Sequence, residues 1–115
     1  MYSCSGCSNV AQLANDIALE IARRGLAQMS CIAGVGGDVP SLVRVARSGR
    51  FILGLDGCRL HCVKNCLARH GVALDEHVTM TEQGIRKREG ERCSDALRDE
   101  LAHRIAQLLE EVAPS

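Results

Sequence analysis

Short apolar runs alternate with amphipathic stretches along this chain, and that alternation limits the fold more than any other feature. Residues 9–24 place Val10, Leu13, Ala14, Ile17, Ile21 and Ala22 on one stripe at helical spacing. Ser8 or Asn9 can cap the start, and Gly25 stands where a helix-ending glycine belongs. Residues 27–33 are short and mostly apolar and read as a buried strand, followed by a glycine-rich turn over 34–38. Pro40 and Ser41 open a shorter helix over 42–47, closed by Ser48-Gly49. Residues 51–55 are apolar throughout and read as another strand, while residues 1–3 supply the end of the first. Residues 58–69 are helical again, with Leu60, Val63 and Leu67 on one face and Gly71 as the stop. Residues 72–80 supply the last strand and 81–91 a polar loop. A final helix runs over 94–112, with Leu97, Leu101, Ile105, Leu108 and Leu109 as its apolar stripe.

This order predicts an α/β fold. The sheet is mainly parallel, with about four strands and helices on both faces, three layers in all. The 115 residues suit a single domain, 1–115, large enough to bury a core without staples. Its core must be aliphatic, because the chain holds one Tyr, one Phe and no Trp.

Charge and hydropathy exclude several classes of function. Fourteen basic and 14 acidic residues balance, so no net field draws in polyanions and nucleic-acid binding is not expected. Scarce aromatics also leave no stacking platform for bases. No apolar run reaches the roughly 18 residues of a membrane span, and the first residues lack the basic and apolar regions of a signal peptide. The expected location is the cytoplasm. In a reducing compartment the seven cysteines are not expected to be structural disulfides, and clustered cytosolic thiols point to metal binding or thiol chemistry.

On the predicted layout, Cys4 and Cys7 follow the first strand, in the turn into the first helix. Cys31 lies near the end of the second strand. Cys58 follows the third at Asp56-Gly57-Cys58, and Cys62 stands one helical turn further on. In a parallel sheet all of these positions belong to the carboxyl edge, where loops from separate strands build sites. A C-x-x-C turn supplies two thiolates able to share an ion. Cys58 and Cys62, at i and i+4, present two more on one helix face, and Cys31 is a fifth candidate. Dense soft ligands favour zinc, one ion, over magnesium or calcium. Helix N-termini stabilise anions, so Cys7 and Cys58 are expected to ionise easily. Cys66 extends the i, i+4 series about 12 Å along the helix from Cys58, which favours a buried, inert role.

Tyr2-Ser3-Cys4-Ser5-Gly6-Cys7-Ser8, Cys31-Ile32-Ala33-Gly34-Val35-Gly36-Gly37, and Asp56-Gly57-Cys58 with Cys62 together resemble the DGC-domain family, named for its Asp-Gly-Cys motif. The resemblance runs through most of the chain. It implies zinc binding by Cys4, Cys7, Cys58 and Cys62, with Cys31 as a substitute ligand. Arg59 departs from the pattern, which leads one to expect proline after the motif. The chain also begins almost on its first motif, which leaves the first strand very short.

The remaining candidates have plainer readings. Asp56 caps the following helix or orients a ligand. His61 sits between two candidate ligands and could replace one, but exposed helix surface is the expectation, because neighbouring helix positions point about 100° apart; His70, His77 and His103 have no clustered partners. Gly34-Val35-Gly36-Gly37 is neither a dinucleotide nor a Walker loop. The mixed-sign run 86–92 is expected to be a solvated loop. The alternative to a metal-binding protein is a thiol-dependent redox or sulfur/metalloid-transfer protein, in which Cys4 attacks and Cys7 resolves.

Overall fold

The long amphipathic stretches fold as their periodicity requires. In the computed structural model, which describes residues 1–114, helix α1 spans Asn9–Arg23 and buries Val10, Leu13, Ala14, Ile17, Ala18 and Ile21. The Ser8 hydroxyl accepts from Ala11 N at 3.1 Å to cap it. Gly25, at φ +74°, ends it in the left-handed conformation that glycine adopts at least cost. The last helix, α5, spans Asp95–Val112, is capped by Ser94, and packs its Leu101, Ala102, Ile105 and Leu109 toward α1 and the core. Between them lie α2 (Ile32–Gly36), α3 (Pro40–Ala46) and α4 (Cys62–Arg69), with α2 resting against both α3 and α4. None of the described helices is long and apolar enough to cross a membrane.

Among the described residues the sheet has three strands, not four. Strands β1 (Tyr2–Ser3), β2 (Leu53–Asp56) and β3 (Glu76–Thr79) lie in that order, all parallel, with Tyr2 opposite Gly54 and Asp56 opposite Thr79. The strand expected over 27–33 does not form. It is reduced to one parallel rung on the outer side of β1, where Met1 N donates to Gln28 O (2.9 Å) and Ser30 N donates to Met1 O (3.0 Å). The cause is local. Cys31 turns the chain into α2, its Sγ accepting from Gly34 N at 3.3 Å and its carbonyl from Val35 N. Gly34 and Gly36, expected in a loop, are helical instead. Gly34 lets Leu42 of α3 lie where a Cβ would otherwise stand. The small parallel sheet with its helices is thus α/β in outline, with fewer strands than the sequence pattern implied.

Two further elements are shorter than expected, while α3 begins two residues earlier, at Pro40, and β2 runs to Asp56. The helix expected to begin at Cys58 begins at Cys62, and the strand expected over 72–80 is confined to Glu76–Thr79 before a 3-10 turn, Met80–Gln83. Val10, Leu13, Ile17, Leu55, Val63, Leu67 and Met80 are all fully buried, so the core is aliphatic.

Chain order around β1 places the site. From β1 the chain passes through α1 to the 28–30 rung on one side, then crosses to β2 on the other. In parallel sheets such a reversal opens a crevice at the carboxyl ends of the two strands. Those ends are Ser3-Cys4 and Asp56-Gly57. Here Gly57 presses on the first turn of α1. A Cβ at this position would lie 2.7 Å from Ala11 N and 2.8 Å from the carbonyl carbon of Val10, both backbone atoms that cannot swing away. Gly57→Ala is therefore expected to lower the free energy of unfolding by about 2 kcal/mol, within the range of overpacked sites, as read by urea denaturation. An unchanged midpoint would contradict the close packing of β2 on α1.

Candidate functional site

Two turns meet at this edge. Cys4 continues β1, its N–H donating to Leu55 O at 3.0 Å, and its side chain is 7% exposed. Its Sγ accepts from Gly57 N at 3.0 Å, a buried bond that ties the Cys4-Ser5-Gly6-Cys7 turn to the Asp56-Gly57-Cys58 turn. Burial pushes the Cys4 thiol up to about 11. The Gly57 N–H opposes the shift, and nearby Asp56, Cys62 and Cys58 add to it. Cys62 is raised for the same reasons, first burial and then the charges of Asp56, Cys58 and Cys66, with Lys87 acting against them. Cys4, Cys58 and Cys62 therefore stand within electrostatic reach of one another. Cys7 lies exposed at the end of the first turn.

Cys31 is placed differently from expectation. It is exposed, and its sulfur serves as the cap of α2 rather than closing a strand beside the others. Cys58 is not helical. It precedes α4 and forms the turn closed by His61 N and Cys58 O at 3.1 Å, so neither the shared helix face nor the helix-dipole argument applies to it. Cys66 is half-buried rather than buried, with its sulfur over Gly36.

Asp56 holds the second turn in shape. His61, the residue before α4, is left-handed at φ +51° and makes no side-chain cap. Asp56, 1% exposed, reaches across from β2 instead. Its Oδ1 accepts from Val63 N at 2.9 Å and its Oδ2 from Lys64 N at 3.4 Å. These N–H groups belong to the helix's unpaired first turn, which a carboxylate stabilises. The capping role read from the sequence is thus the one the carboxylate fills. His77 Nε2 of β3 lies 2.8 Å from Asp56 Oδ2. Its ring meets His61 edge-on, centroids 4.8 Å apart, and His61 Nε2 pairs with Thr79 Oγ1 at 3.2 Å. The contact between His61 and His77 was not marked by the sequence, because it joins β3 to a turn 16 residues upstream.

The run 86–92 is not merely a solvated loop. Buried Asn9 clasps it: Asn9 Nδ2 donates to Arg86 O (2.9 Å), Arg88 N donates to Asn9 Oδ1 (2.6 Å), and Asn9 N donates to Arg88 O (2.8 Å). Gly90 N donates to Cys7 O at 3.0 Å, and Ser8 pairs with Glu89 in an antiparallel bridge. The strap brings Lys87 Nζ to 3.5 Å from Cys58 Sγ.

The donor set is soft, sulfur-rich and drawn from two abutting turns, which suits a thiophilic ion. Among the described residues no three Cys, His, Asp or Glu side chains already stand converged for a metal, so an ion would have to draw the sulfurs inward as it displaced their protons.

Two cysteine-bearing turns, one of them Asp-Gly-Cys, thus meet at the carboxyl ends of β1 and β2. The DGC-domain family model matches residues 1–108, and the chain belongs to that family. A relative from Pseudomonas aeruginosa, the anaerobic and virulence modulator AnvM, is 62% identical over 109 residues, covering 95% of this chain and 83% of its own length. No solved structure matches the chain.

The Cys4 thiol also sets a pH dependence. The metal-free folded chain keeps this proton above the pH at which an unfolded thiol, near 9.0, gives it up. The stability it contributes is fully present below about pH 9 and is lost as the pH climbs through about 11. Between pH 8 and 11 the denaturation midpoint of the metal-free wild type is expected to fall more than that of Cys4→Ser. Parallel declines would contradict the burial of this thiol.

Proposed function

We propose that this protein binds one zinc ion, or a related thiophilic cation, through Cys4, Cys7, Cys58 and Cys62. The observation that carries the reading is the bond from Gly57 N to Cys4 Sγ, because it joins the two cysteine turns at the sheet edge. The electrostatic proximity of Cys4, Cys58 and Cys62 supports it further. Four thiolates would make a closed tetrahedral site, which holds an ion without offering an open position for chemistry. Cys7 is exposed and comes from the same turn as Cys4, so it can close onto an ion held by the other three. A modulating use accords with the name of the Pseudomonas relative.

The redox alternative has less support. An attacking thiol works as its thiolate, whereas burial pushes the Cys4 thiol further from ionising, up to about 11, and its sulfur is turned to Gly57.

Elemental analysis of protein purified under reducing conditions tests the reading. About one zinc per chain is expected. Cys4→Ser and Cys58→Ser are each expected to lose most of it, while Cys93→Ser retains it. A metal-free protein that forms a Cys4–Cys7 disulfide under mild oxidation would overturn the reading.

A further inference from the structure

The strap over 86–93 is the feature that the metal reading leaves unused. Its backbone is pinned on both sides of Lys87, since one Asn9 side chain holds Arg86 O and Arg88 N, and the Asn9 N–H holds Arg88 O. Asn9 itself is 7% exposed and sits in the first turn of α1, directly after the Cys4–Cys7 turn. Two more backbone links, Gly90 N to Cys7 O and the Ser8–Glu89 bridge, fasten the strap to that same turn. Cys93 Sγ makes a long contact, 3.9 Å, with Asn9 O. A loop that was only a connection would need none of this anchoring. What the anchoring achieves is the placement of one ammonium group beside one sulfur, Lys87 Nζ and Cys58 Sγ at 3.5 Å.

The charge balance says why that placement matters. Four thiolates around a divalent cation carry a net charge of about −2, and N–H donors to the sulfurs offset it. Gly57 N already serves Cys4 in this way. Arg86 and Arg88 flank Lys87, but Lys87 is the cation that the structure sets on a sulfur.

We propose that Lys87, held in place by Asn9, is a positioning residue of the thiolate site: its ammonium group bonds the Cys58 sulfur and offsets the negative charge of the sulfur–metal centre. The proposal rests on the metal-binding reading above and adds to it a residue outside the cysteine motifs. The strap is then a wall of the site, built from a part of the chain some 80 residues from the first motif (87 − 7).

Cobalt(II) tests this, because thiolate-to-cobalt charge-transfer absorption reports both occupancy and the electron density on sulfur. The full chain, wild type and variants, would be titrated with cobalt and then with zinc in competition against a chelator. Lys87→Met is expected to bind about tenfold more weakly, the low end of what partner groups of metal ligands contribute, and to shift the charge-transfer band to lower energy. Lys87→Arg is expected to restore both, since it keeps an N–H donor and a charge. Arg104→Met on α5, an equal change in net charge away from the site, is expected to leave both unchanged. Lys87→Gln repeats the test with a polar side chain, and circular dichroism of the metal-free variants confirms that each is folded. Equal affinity and an unmoved band in Lys87→Met would overturn the role of Lys87 while leaving the metal site standing. An absence of thiolate charge transfer in the wild type would overturn the metal reading, and this proposal with it.

Discussion

One buried hydrogen bond, from the Gly57 N–H to the Cys4 sulfur at 3.0 Å, joins the two halves of this site. It exists because β1 and β2 are adjacent and parallel, so their carboxyl ends emerge side by side. It also depends on Gly57 having no side chain, for the same residue lies against the backbone of Val10 and Ala11 at the start of α1. Strand pairing, helix docking and sulfur placement are therefore a single constraint. Loosening any one of them moves the others, which is how a cooperative core behaves when it is close-packed.

Around that bond the polar groups form a closed arrangement. Asp56 stabilises the start of α4 in place of a conventional cap and is itself held by His77, while His61 leans on both His77 and Thr79. A buried carboxylate with three partners is satisfied rather than strained, and none of the described buried side-chain polar atoms lacks a hydrogen bond. On the other side, Asn9 fastens the 86–93 strap to the first cysteine turn. β3 thus reaches the Asp-Gly-Cys turn through His77 and Asp56, and the strap reaches it through Lys87 and Cys58.

Much of this was legible in the residues, and the exceptions have physical causes. The two long helices announced themselves because their stripes repeat over several turns and their caps, Ser8 and Ser94, are where hydroxyl caps belong. The Asp-Gly-Cys turn was placed at the end of a strand, where it is found. The segment 27–33 misled because a short apolar run reads equally as strand or buried helix, and Cys31 decides the matter by capping a turn. Glycines 34 and 36 were read as freedom for a loop, when Gly34 makes room for Leu42 between two packed helices. Cys58 and Cys62 share a turn-to-helix junction rather than a helix face, because left-handed His61 breaks the register between them. The strap and the His61–His77 contact were invisible for a different reason. Both are long-range pairings, and neither Asn9 nor His77 carries a local pattern that names its partner.

The central claim is that the sulfurs of the first and third cysteine segments form one centre. X-ray absorption at the zinc edge of the zinc-loaded chain tests it most directly. The account predicts a first shell dominated by sulfur at about 2.3 Å, with sulfur lost from it in both Cys4→Ser and Cys58→Ser. A shell of nitrogen and oxygen, or one that survives both substitutions unchanged, would contradict it.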